Sequence, residues 1–520
     1  MKKTNARIVA ALLLAALLLP ACAKDNGGTN TPGTSAPVTS GSAETSAPEE
    51  TTDPNARANH MDKLPADLNF NGETVTALFR GTMSDLEGTA GSYWIRNDVC
   101  GTDNIGDIVS DAVWERNKTV EERLGINLEW IPSDGGSLSA DQQVIKSILT
   151  SQDDTYSFFL PTGNTSAETG LHVYMRDLSN AKYLDLTSPW WWKFAIEAMS
   201  IDGKTKQFIV GDMLLTNLAQ TCVLYFNKDI YNDVYGNPDD MYQLTLDGKL
   251  TQDKLYELAA GAYKDANGDG VKNEGDIFGL LFSNGTNEEM AGYIASCDLD
   301  LYERDADGHL TITMNKERTV TAVEKLYRLL NENEGSWKRA GTIADQAKPF
   351  SEGSSLFLGA RLISATTETM REMEQEYGIL PMPKLDEAQE KYLSGVHNSG
   401  SNLCVPKMVN DKHFETVGAV LEALCGEAHR TYMDAFLETA MKLKYSRDAL
   451  SGQCIDLVVD GLTKNTLLEY PNYCASIVGT CLFTPIKSNP NAFATSFRKV
   501  GPAAQKQWDK AVADMAKSVQ

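Results

Sequence analysis

The residues best suited to chemistry in this sequence lie in one short loop between Lys264 and Asp276. Oxygen-bearing groups recur along it at the spacing of a Ca²⁺-binding loop, and Gly270 stands at the sixth position, where such a loop turns sharply. Ca²⁺ takes about six to eight oxygen ligands, and this spacing lets a single loop supply them. The predicted ligands are Asp265, Asn267, Asp269, the carbonyl of Val271, Asn273 and Asp276.

A simpler interpretation of this loop is an ordinary turn. Asn-Gly and Asp-Gly pairs commonly connect a helix to a strand. The last ligand position holds Asp276 instead of the usual Glu, and its shorter side chain is less suited to binding through both oxygens; Glu274 is an alternative ligand. The number of candidate ligands nevertheless favours a structural Ca²⁺ site. At Asp305-Ala-Asp-Gly308 only two acidic positions precede a strand, so a turn is predicted there.

Catalytic motifs are absent from the sequence. None of the six histidines lies in an HExxH or CxxCH spacing, and there is no GxSxG nucleophile elbow and no GxGxxG or Walker loop. Carboxylates are abundant, so a glycosidase pair of two acids is the arrangement that the sequence leaves open. We therefore expect a binding protein and not an enzyme.

The first 21 residues have the pattern of an export signal. A basic start precedes an apolar run over residues 8–19, which is too short for a comfortable membrane span. The run leads into Leu19-Pro20-Ala21-Cys22, which resembles the lipobox of bacterial lipoproteins. That resemblance implies lipidation of Cys22; an ordinary signal with an incidental cysteine is the alternative.

A flexible tether is predicted for residues 22–63. Its composition is dominated by Gly, Thr, Ser, Pro, Asn and Glu, with almost no large apolar side chain, so it cannot bury enough surface to fold. The folded body is then expected to begin at Leu64. Together with the lipid anchor, this predicts a protein held on the outer face of the cytoplasmic membrane, with membrane contact through the lipid alone.

Charge and cysteine content narrow the function further. The formal charge of −24 argues against a nucleic-acid partner or an anionic membrane surface, because both require basic protein surfaces. The nine cysteines include no CxxC pair, and they are too few in a chain of 520 residues to form a disulfide framework. Cys474 and Cys481 are near enough in sequence to bridge, but the sequence does not show that they do.

Short strands alternate with helices along the body. Residues 73–79, 126–130 and 156–160 have strand patterns, and residues 107–124 and 141–150 between them have helical periodicity. This rhythm is typical of a parallel sheet covered by helices. The same alternation recurs later, with strands predicted at 208–210, 223–226, 278–282, 356–358 and 403–405, a hairpin at 303–313, and helices at 251–262, 319–331 and 413–425.

Five stretches resemble one protein family. They are DAVWERN at 111–117, VLYFNKD at 223–229, DGKLT at 247–251, YGILPMP at 377–383 and LKYSRD at 443–448. In this order they are similar to motifs of the family-1 extracellular solute-binding proteins, the lipoprotein sugar receptors of ABC importers in Gram-positive bacteria. Leu250 departs from the family pattern, which usually has Trp at that position.

The resemblance implies a two-lobed α/β fold of the periplasmic-binding-protein type II. The chain would cross the hinge more than once, so that residues 64–212 and 384–430 form lobe one and residues 213–383 and 431–520 form lobe two. It also implies a carbohydrate ligand, with an oligosaccharide favoured, bound in the cleft between lobes and delivered to the permease subunits of an ABC transporter. A monomer is expected.

Candidate ligand-binding residues are polar or aromatic side chains that follow predicted strands, where open α/β sheets generally bind. In the resembled family the Gly-Asp position faces the cleft, which makes Asp212 the first choice among polar residues. The full set is Tyr93, Trp94, Asp98, Thr162, Asn164, Trp191, Asp212, Asn217, Asn284, Arg361 and Asn398. Each has an ordinary alternative as a helix cap or a turn residue.

Three consecutive tryptophans, Trp190 to Trp192, form the most unusual aromatic stretch. Ser188 and Pro189 predict a helix that begins here, with the tryptophans on its first turn. Three neighbours on a helix fan over more than half of its circumference, so they cannot all enter one core or all stack on one sugar. We expect Trp190 and Trp192 to pack inward and Trp191 to face the cleft or solvent, with Trp94 as the competing sugar platform.

Other functions stay open from the sequence. A secreted glycan-active enzyme would turn its substrate over, whereas a receptor would return the sugar unchanged. A binding lipoprotein for a peptide or another polar solute, with a sensing or adhesive role, would use similar cleft chemistry. We favour the sugar receptor because its motifs extend over most of the body.

Overall fold

The computed structural model describes residues 56–82, 98–99, 107–134, 137–168, 170–284, 287–445 and 448–519. Residues 53–520 form one compact unit. The export signal, Cys22 and the tether as far as residue 55 lie outside the described residues, as do Tyr93 and Trp94. Within the described part, every helix is too short or too polar to cross a lipid bilayer.

The first sheet is parallel, as its strand–helix rhythm predicts. Its strand order is β2-β1-β3, with β1 at Glu73–Phe79, β2 at Ile126–Pro132 and β3 at Phe158–Leu160. The first crossover helix, α1 (Ile108–Leu124), begins where the Asp107 carboxylate accepts the backbone N–H of Ser110. It ends at Gly125, whose φ of 60° is the left-handed conformation that glycine adopts readily.

The second sheet is mixed. Its order is β10-β4-β9-β5-β8, with β4 at Cys222–Asn227, β5 at Phe278–Ser283, β8 at Ser336–Arg339, β9 at Ser355–Arg361 and β10 at Tyr377–Pro381. Strand β4 runs antiparallel to both of its neighbours, while β9, β5 and β8 are mutually parallel. The alternating pattern therefore predicts β4, β5 and β9, but it predicts neither β8 nor β10 and does not reveal the reversed direction of β4.

Two separate two-stranded sheets and the other helices accompany these sheets. The short pairs are β6 (Tyr302–Arg304) with β7 (Leu310–Ile312), the predicted Asp-Gly hairpin, and β11 (Ser394–Gly395) with β12 (Leu462–Thr463). The other α-helices are α2 Leu138–Ser151, α3 Gly163–Glu168, α4 Lys193–Ala198, α5 Leu215–Ala219, α6 Lys228–Tyr235, α7 Asp239–Leu246, α8 Gln252–Gly261, α9 Glu288–Ser296, α10 Glu317–Tyr327, α11 Ile343–Ser351, α12 Glu368–Arg371, α13 Asp411–Glu427, α14 Ala449–Asp460, α15 Thr466–Glu469, α16 Thr484–Ser488 and α17 Phe493–Val519.

Two predicted strands are single bridges instead. Ile209 pairs with Leu403, and Phe159 at the centre of β3 pairs with Cys404, so the segments around 209 and 403 extend the first sheet by isolated bridges. All four side chains are fully buried. Cys404 and the other six cysteines of the described residues, Cys474 and Cys481 among them, are buried free thiols.

The helix predicted at Ser188 is wrong, because helix α4 starts only at Lys193. The tryptophan segment lies instead along residues 210–212. Trp192 N–H donates to the Val210 carbonyl at 2.9 Å, and Asp212 N–H donates to the Trp190 carbonyl at 3.0 Å. A side chain at Gly211 would come within 2.8 Å of the Trp191 ring, so the close approach requires glycine.

All three indoles are buried, at 1%, 3% and 8% exposure for Trp190, Trp191 and Trp192. The prediction that Trp191 faces the cleft or solvent is therefore wrong. Its Nε1–H donates to the Glu422 carboxylate on α13 at 3.0 Å, and Trp192 Nε1–H donates to Asp212 at 2.6 Å. The N–H groups of Trp191 and Trp192 have acceptors, and all three rings are buried, so the cluster is a packing element of the core.

Glu422 makes this core sensitive to pH. Burial raises the pKa of Glu422 to about 7, above its ordinary value near 4.5. Because the folded pKa exceeds the unfolded one, stability from this group is complete below pH 4.5 and is lost as the pH rises through 7. Gln does not titrate, so the free energy of unfolding of Glu422→Gln should not show this loss. Between pH 4.5 and pH 8 we expect the variant to become more stable relative to the wild type by up to about 3 kcal/mol.

Urea unfolding at the two pH values measures this difference. Glu415→Gln is the matched control, since Glu415 lies on the same helix with its side chain 45% exposed. Equal pH dependence of the two variants would contradict the assignment.

The body begins before Leu64. Asp62, whose side chain is fully buried, accepts two hydrogen bonds of 2.6 Å from Arg123 on α1. His60 Nδ1 lies 2.9 Å from Nε2 of His429. Residues 56–63, which their composition assigns to the tether, are thus held against the helices. The tether is predicted from the low apolar content of this segment. The ion pair between the buried Asp62 carboxylate and Arg123 holds residues 56–63 to the body without apolar side chains.

Candidate functional site

A cavity of about 440 Å³ lies where strands of both sheets end. Helix α3 follows β3 and helix α9 follows β5, and each contributes to the wall; the segments after β11 and β12 complete it. Open α/β sheets bind ligands at this edge. The described lining residues are Asn164, Cys222, Asn287, Glu288, Ala291, Gly292, Ala295, Gly395, Val396, His397, Asn398, Thr463, Lys464, Asn465, Leu467, Leu468, Glu469, Pro471, Ser476, Val478, Gly479 and Phe483.

One wall of the cavity is a face of α9 with small side chains. Ala291, Gly292 and Ala295 lie on it, and Ala295 follows the other two at the four- and three-residue spacings that share a helix face. Gly292 is required here, since an added Cβ would come within 2.8 Å of the Cys222 sulfur. Among the described lining residues, Phe483 is the one Phe, Tyr or Trp, so the wall offers room along α9 and a single large apolar ring for stacking.

The charged groups of the cavity occur as ion pairs. Glu288 pairs with Arg361, which also donates to the Gln220 side chain at 2.6 Å. Lys464 and Glu469 pair at 3.3 Å with side chains 0% and 2% exposed. Burial raises the pKa of Glu469, and Lys464 opposes that shift. The cavity thus presents charge-strengthened hydrogen-bonding groups with no net charge from these four residues.

Two of the predicted ligand-binding residues lie on the cavity wall. They are Asn164 and Asn398, and they are joined by a 2.9 Å bond from the Asn164 N–H to the Asn398 carbonyl. Arg361 stands directly behind the wall, bonded to Glu288. Asn284 is exposed and is not part of the lining; its N–H donates to the Arg339 carbonyl at 2.8 Å.

Four other predicted residues are buried inside the protein, away from the cavity lining. Asp98 accepts the backbone N–H of Thr216 at 2.8 Å, and burial raises the pKa of Asp98 to about 7. Asp212 bonds Trp192 and His429, each at 2.6 Å. Thr162 bonds Thr165, and Asn217 donates to the Ser401 carbonyl at 2.7 Å. In this structure these side chains bond neighbouring loops and are not part of the cavity lining.

Sequence reasoning missed Glu288, Lys464 and Glu469 as cavity residues, whereas His397 precedes a predicted strand next to Asn398 and lies on the wall. Glu288 looks like an ordinary acid in the first turn of a helix. Lys464 and Glu469 look like solvated charges in a polar segment. Their burial depends on packing against α3 and α9, which are distant in sequence, and no local pattern signals it.

Solved structures share this architecture. An uncharacterised protein of Listeria monocytogenes EGD-e matches over 83% of this chain and 100% of its own, with a TM-score of 0.54 and 12% identity. UgpB from Mycobacterium tuberculosis, in complex with glycerophosphocholine, matches over 78% and 96%, with a TM-score of 0.51 and 13% identity. An ABC-transporter-associated binding protein from B. animalis subsp. lactis Bl-04, in complex with β-1,6-galactobiose, matches over 84% and 99%, with a TM-score of 0.50 and 13% identity.

The chain has the fold of the ABC-transporter solute-binding proteins. The predicted two-lobed α/β architecture is therefore confirmed. No protein-family model matches the sequence, and no curated protein does. In a solute-binding fold the cavity at the carboxyl ends of the strands is the candidate ligand site. The lobe boundaries at 212/213, 383/384 and 430/431 stay predictions.

The loop of residues 265–276 lies outside this cavity. Lys264 and Ile277 close its base with two backbone hydrogen bonds of 2.9 and 3.0 Å. Gly268 and Gly270 have φ of 72° and 70°, the left-handed conformation on which the turn depends. Asp265 accepts the N–H groups of both glycines, at 2.7 and 2.9 Å.

Asp276 is the unusual member of the loop. It is 2% exposed, and one of its oxygens accepts the Tyr263 hydroxyl at 3.0 Å. The other oxygen, Oδ1, is buried without a hydrogen-bond partner among the described residues. The described parts of the chain contain no preassembled group of three or more His, Cys, Asp or Glu for a metal ion. The loop residues fit Ca²⁺ by type and spacing, and the partnerless Oδ1 fits a position that would bind it.

Proposed function

We propose that the protein is a receptor that captures a neutral saccharide in the cavity of residues 164, 288–295, 395–398 and 463–483 and delivers it to an ABC permease. The observation that carries the proposal is the pairing of every charged group named on the wall, Glu288 with Arg361 and Lys464 with Glu469. Charged groups make strong hydrogen bonds to ligand hydroxyls. Because each charge here is balanced by its partner, the wall does not favour a charged ligand. The volume of about 440 Å³ is in the range of small-molecule sites.

The lining argues against two other ligand types. A phosphate-bearing ligand such as glycerophosphocholine requires uncompensated cations, whereas Arg361 and Lys464 already face carboxylates. A quaternary ammonium group is usually held in a cage of several Trp, Tyr or Phe rings, and Phe483 is the one such side chain in the described lining. A saccharide of one or two rings, with Phe483 against an apolar ring face, fits these groups better.

The test is thermal unfolding of the mature chain with maltose, β-1,6-galactobiose or glycerophosphocholine. We expect a saccharide to raise stability by about 2.7 kcal/mol at 100 times its Kd, and to be recovered chemically unchanged. Stabilisation by glycerophosphocholine alone would contradict the saccharide proposal. Turnover of a bound sugar would instead support the enzyme alternative.

We also propose the membrane placement that the sequence implies: lipidation at Cys22, a tether, and a monomeric body outside the cytoplasmic membrane. The basis is the lipobox-like Leu19-Pro20-Ala21-Cys22 and the polar composition that follows it. Metabolic labelling with a fatty acid tests it. Cys22→Ala is expected to abolish labelling and release the protein, and unchanged labelling would contradict the assignment.

For the loop of residues 265–276 we propose a structural Ca²⁺ site. Removing Ca²⁺ with a chelator is expected to lower the melting temperature, and restoring it to 100 times its Kd should recover about 2.7 kcal/mol. Asp269→Ala should remove this response, because Asp269 is a proposed ligand. Asp305→Ala is the matched control in the other Asp-Gly turn and should keep it. A wild-type protein without any Ca²⁺ response would contradict the site.

A further inference from the structure

His397 is held rigidly at the cavity wall. Its backbone N–H donates to the Gln220 carbonyl at 3.2 Å. The preceding residue, Val396, forms a bridge with Thr221 and donates its N–H to the Thr463 carbonyl at 3.0 Å. The backbone that carries the imidazole is therefore hydrogen-bonded to two neighbouring segments, at residues 220–221 and at residue 463. This fixes the backbone position of His397 before a ligand binds.

The hydrogen bonds of the ring define its tautomer. The backbone N–H of Ser399 donates to Nδ1 of His397 at 3.2 Å, and the Ser399 hydroxyl lies 2.8 Å from the same nitrogen. A backbone N–H is always a donor, so Nδ1 must supply a lone pair. A neutral ring with a lone pair on Nδ1 carries its proton on Nε2.

The surroundings keep the ring neutral. Burial, followed by the positive charges of Arg361 and Lys464, lowers the pKa of His397 to about 3. The charged groups on the elements packed here are Arg361 of β9, Lys464 after β12, Glu288 of α9 and Glu469 of α15, and each carboxylate is engaged by one of the cations. A second proton would give the ring a positive charge, and the positive charges of Arg361 and Lys464 would repel it.

We propose that His397 presents Nε2–H as a fixed hydrogen-bond donor to an oxygen of the bound ligand. No described residue accepts a hydrogen bond from Nε2, and His397 lines the cavity. The site therefore selects a ligand with a hydroxyl, ring or glycosidic oxygen at this position and rejects one that places an ammonium group there. This inference rests on the proposed function for the identity of the ligand, but the state of the ring does not depend on it.

The first experiment examines the ring itself. Nitrogen-15 NMR of the mature chain, with the His397 signal assigned by its loss in His397→Gln, reports tautomer and charge without a ligand. We expect a neutral ring protonated on Nε2 throughout pH 5–8. Ser399→Ala keeps the backbone N–H and should leave the tautomer unchanged. A proton on Nδ1, or titration of His397 between pH 5 and 8, would overturn the proposal.

The second experiment measures affinity for the saccharide that binds best among maltose and β-1,6-galactobiose. His397→Ala should weaken binding about tenfold, and His397→Gln, which restores an N–H donor, should recover most of the loss. Wild-type affinity should be level from pH 5 to 8. Unchanged affinity in His397→Ala would overturn the proposal and leave the proposed function standing. If neither saccharide binds, the saccharide function fails, and the ring experiment alone decides the donor assignment.

Discussion

Replacing Ala291 with tryptophan is expected to abolish ligand binding and leave the protein folded. Ala291 is half-buried on the face of α9 that lines the cavity. An indole at this position projects into a space of about 440 Å³ and occupies the volume that a sugar ring needs. We expect affinity to fall more than about 100-fold, equivalent to about 2.7 kcal/mol. Isothermal titration with the best-binding saccharide measures the loss.

The matched control is Ala503→Trp, on the exposed side of helix α17. Both variants should unfold within about 1 kcal/mol of the wild type, because neither forces an indole into packed core. Only the Ala291 variant should lose binding. If Ala291→Trp kept the affinity of the wild type, the ligand would bind elsewhere, and the assignment of this cavity as the ligand site would be contradicted.

Trp190→Ala is expected to cause the largest loss of stability. Trp190 is 1% exposed, its ring lies 6.1 Å from that of His429, and it packs beside Gly426 on α13. Removing so large a buried side chain leaves a cavity that the surrounding helices cannot close. The expected cost is about 3–5 kcal/mol in the free energy of unfolding, measured with urea.

Trp114→Ala provides the comparison for that variant. Trp114 is half-buried on α1, and Lys118 lies 4.9 Å from its ring centre. Loss of this partly solvated contact should cost about 1 kcal/mol or less. Equal losses at the two positions would contradict the assignment of the tryptophan cluster to the core.

Local signals in the sequence predict many of the elements well. Asp107 caps α1 and Gly125 ends it, Thr251 caps α8, and Asp-Gly closes the β6–β7 hairpin. Each of these depends on contacts within a few residues, so single-sequence reasoning has the information it needs. The strand–helix order and the α/β class follow from the same alternation, whereas the two lobes are implied only by the family resemblance.

The tryptophan segment shows where that reasoning fails. Ser188 and Pro189 are good signals for a helix start, yet the backbone of Trp190 and Trp192 bonds residues 210–212 about twenty positions later. That pairing, together with acceptors on α13 and at Asp212, outweighs the local preference and buries all three rings. The information lies in the segment of residues 210–212, whose pairing with the tryptophans the local sequence does not reveal.

By itself, the sequence determined much of the strand–helix order, the α/β class, the spacing of the Ca²⁺-type loop, and the placement of Asn164 and Asn398 beside predicted strands. These follow from local periodicity, capping and turn chemistry. The tertiary structure alone decided which polar groups reach the cavity: it buried Asp98 and Asp212 and brought Glu288, His397, Lys464 and Glu469 together. Their burial and charge pairing arise from contacts between segments up to about 300 residues apart along the chain, and those contacts set the chemistry of the site.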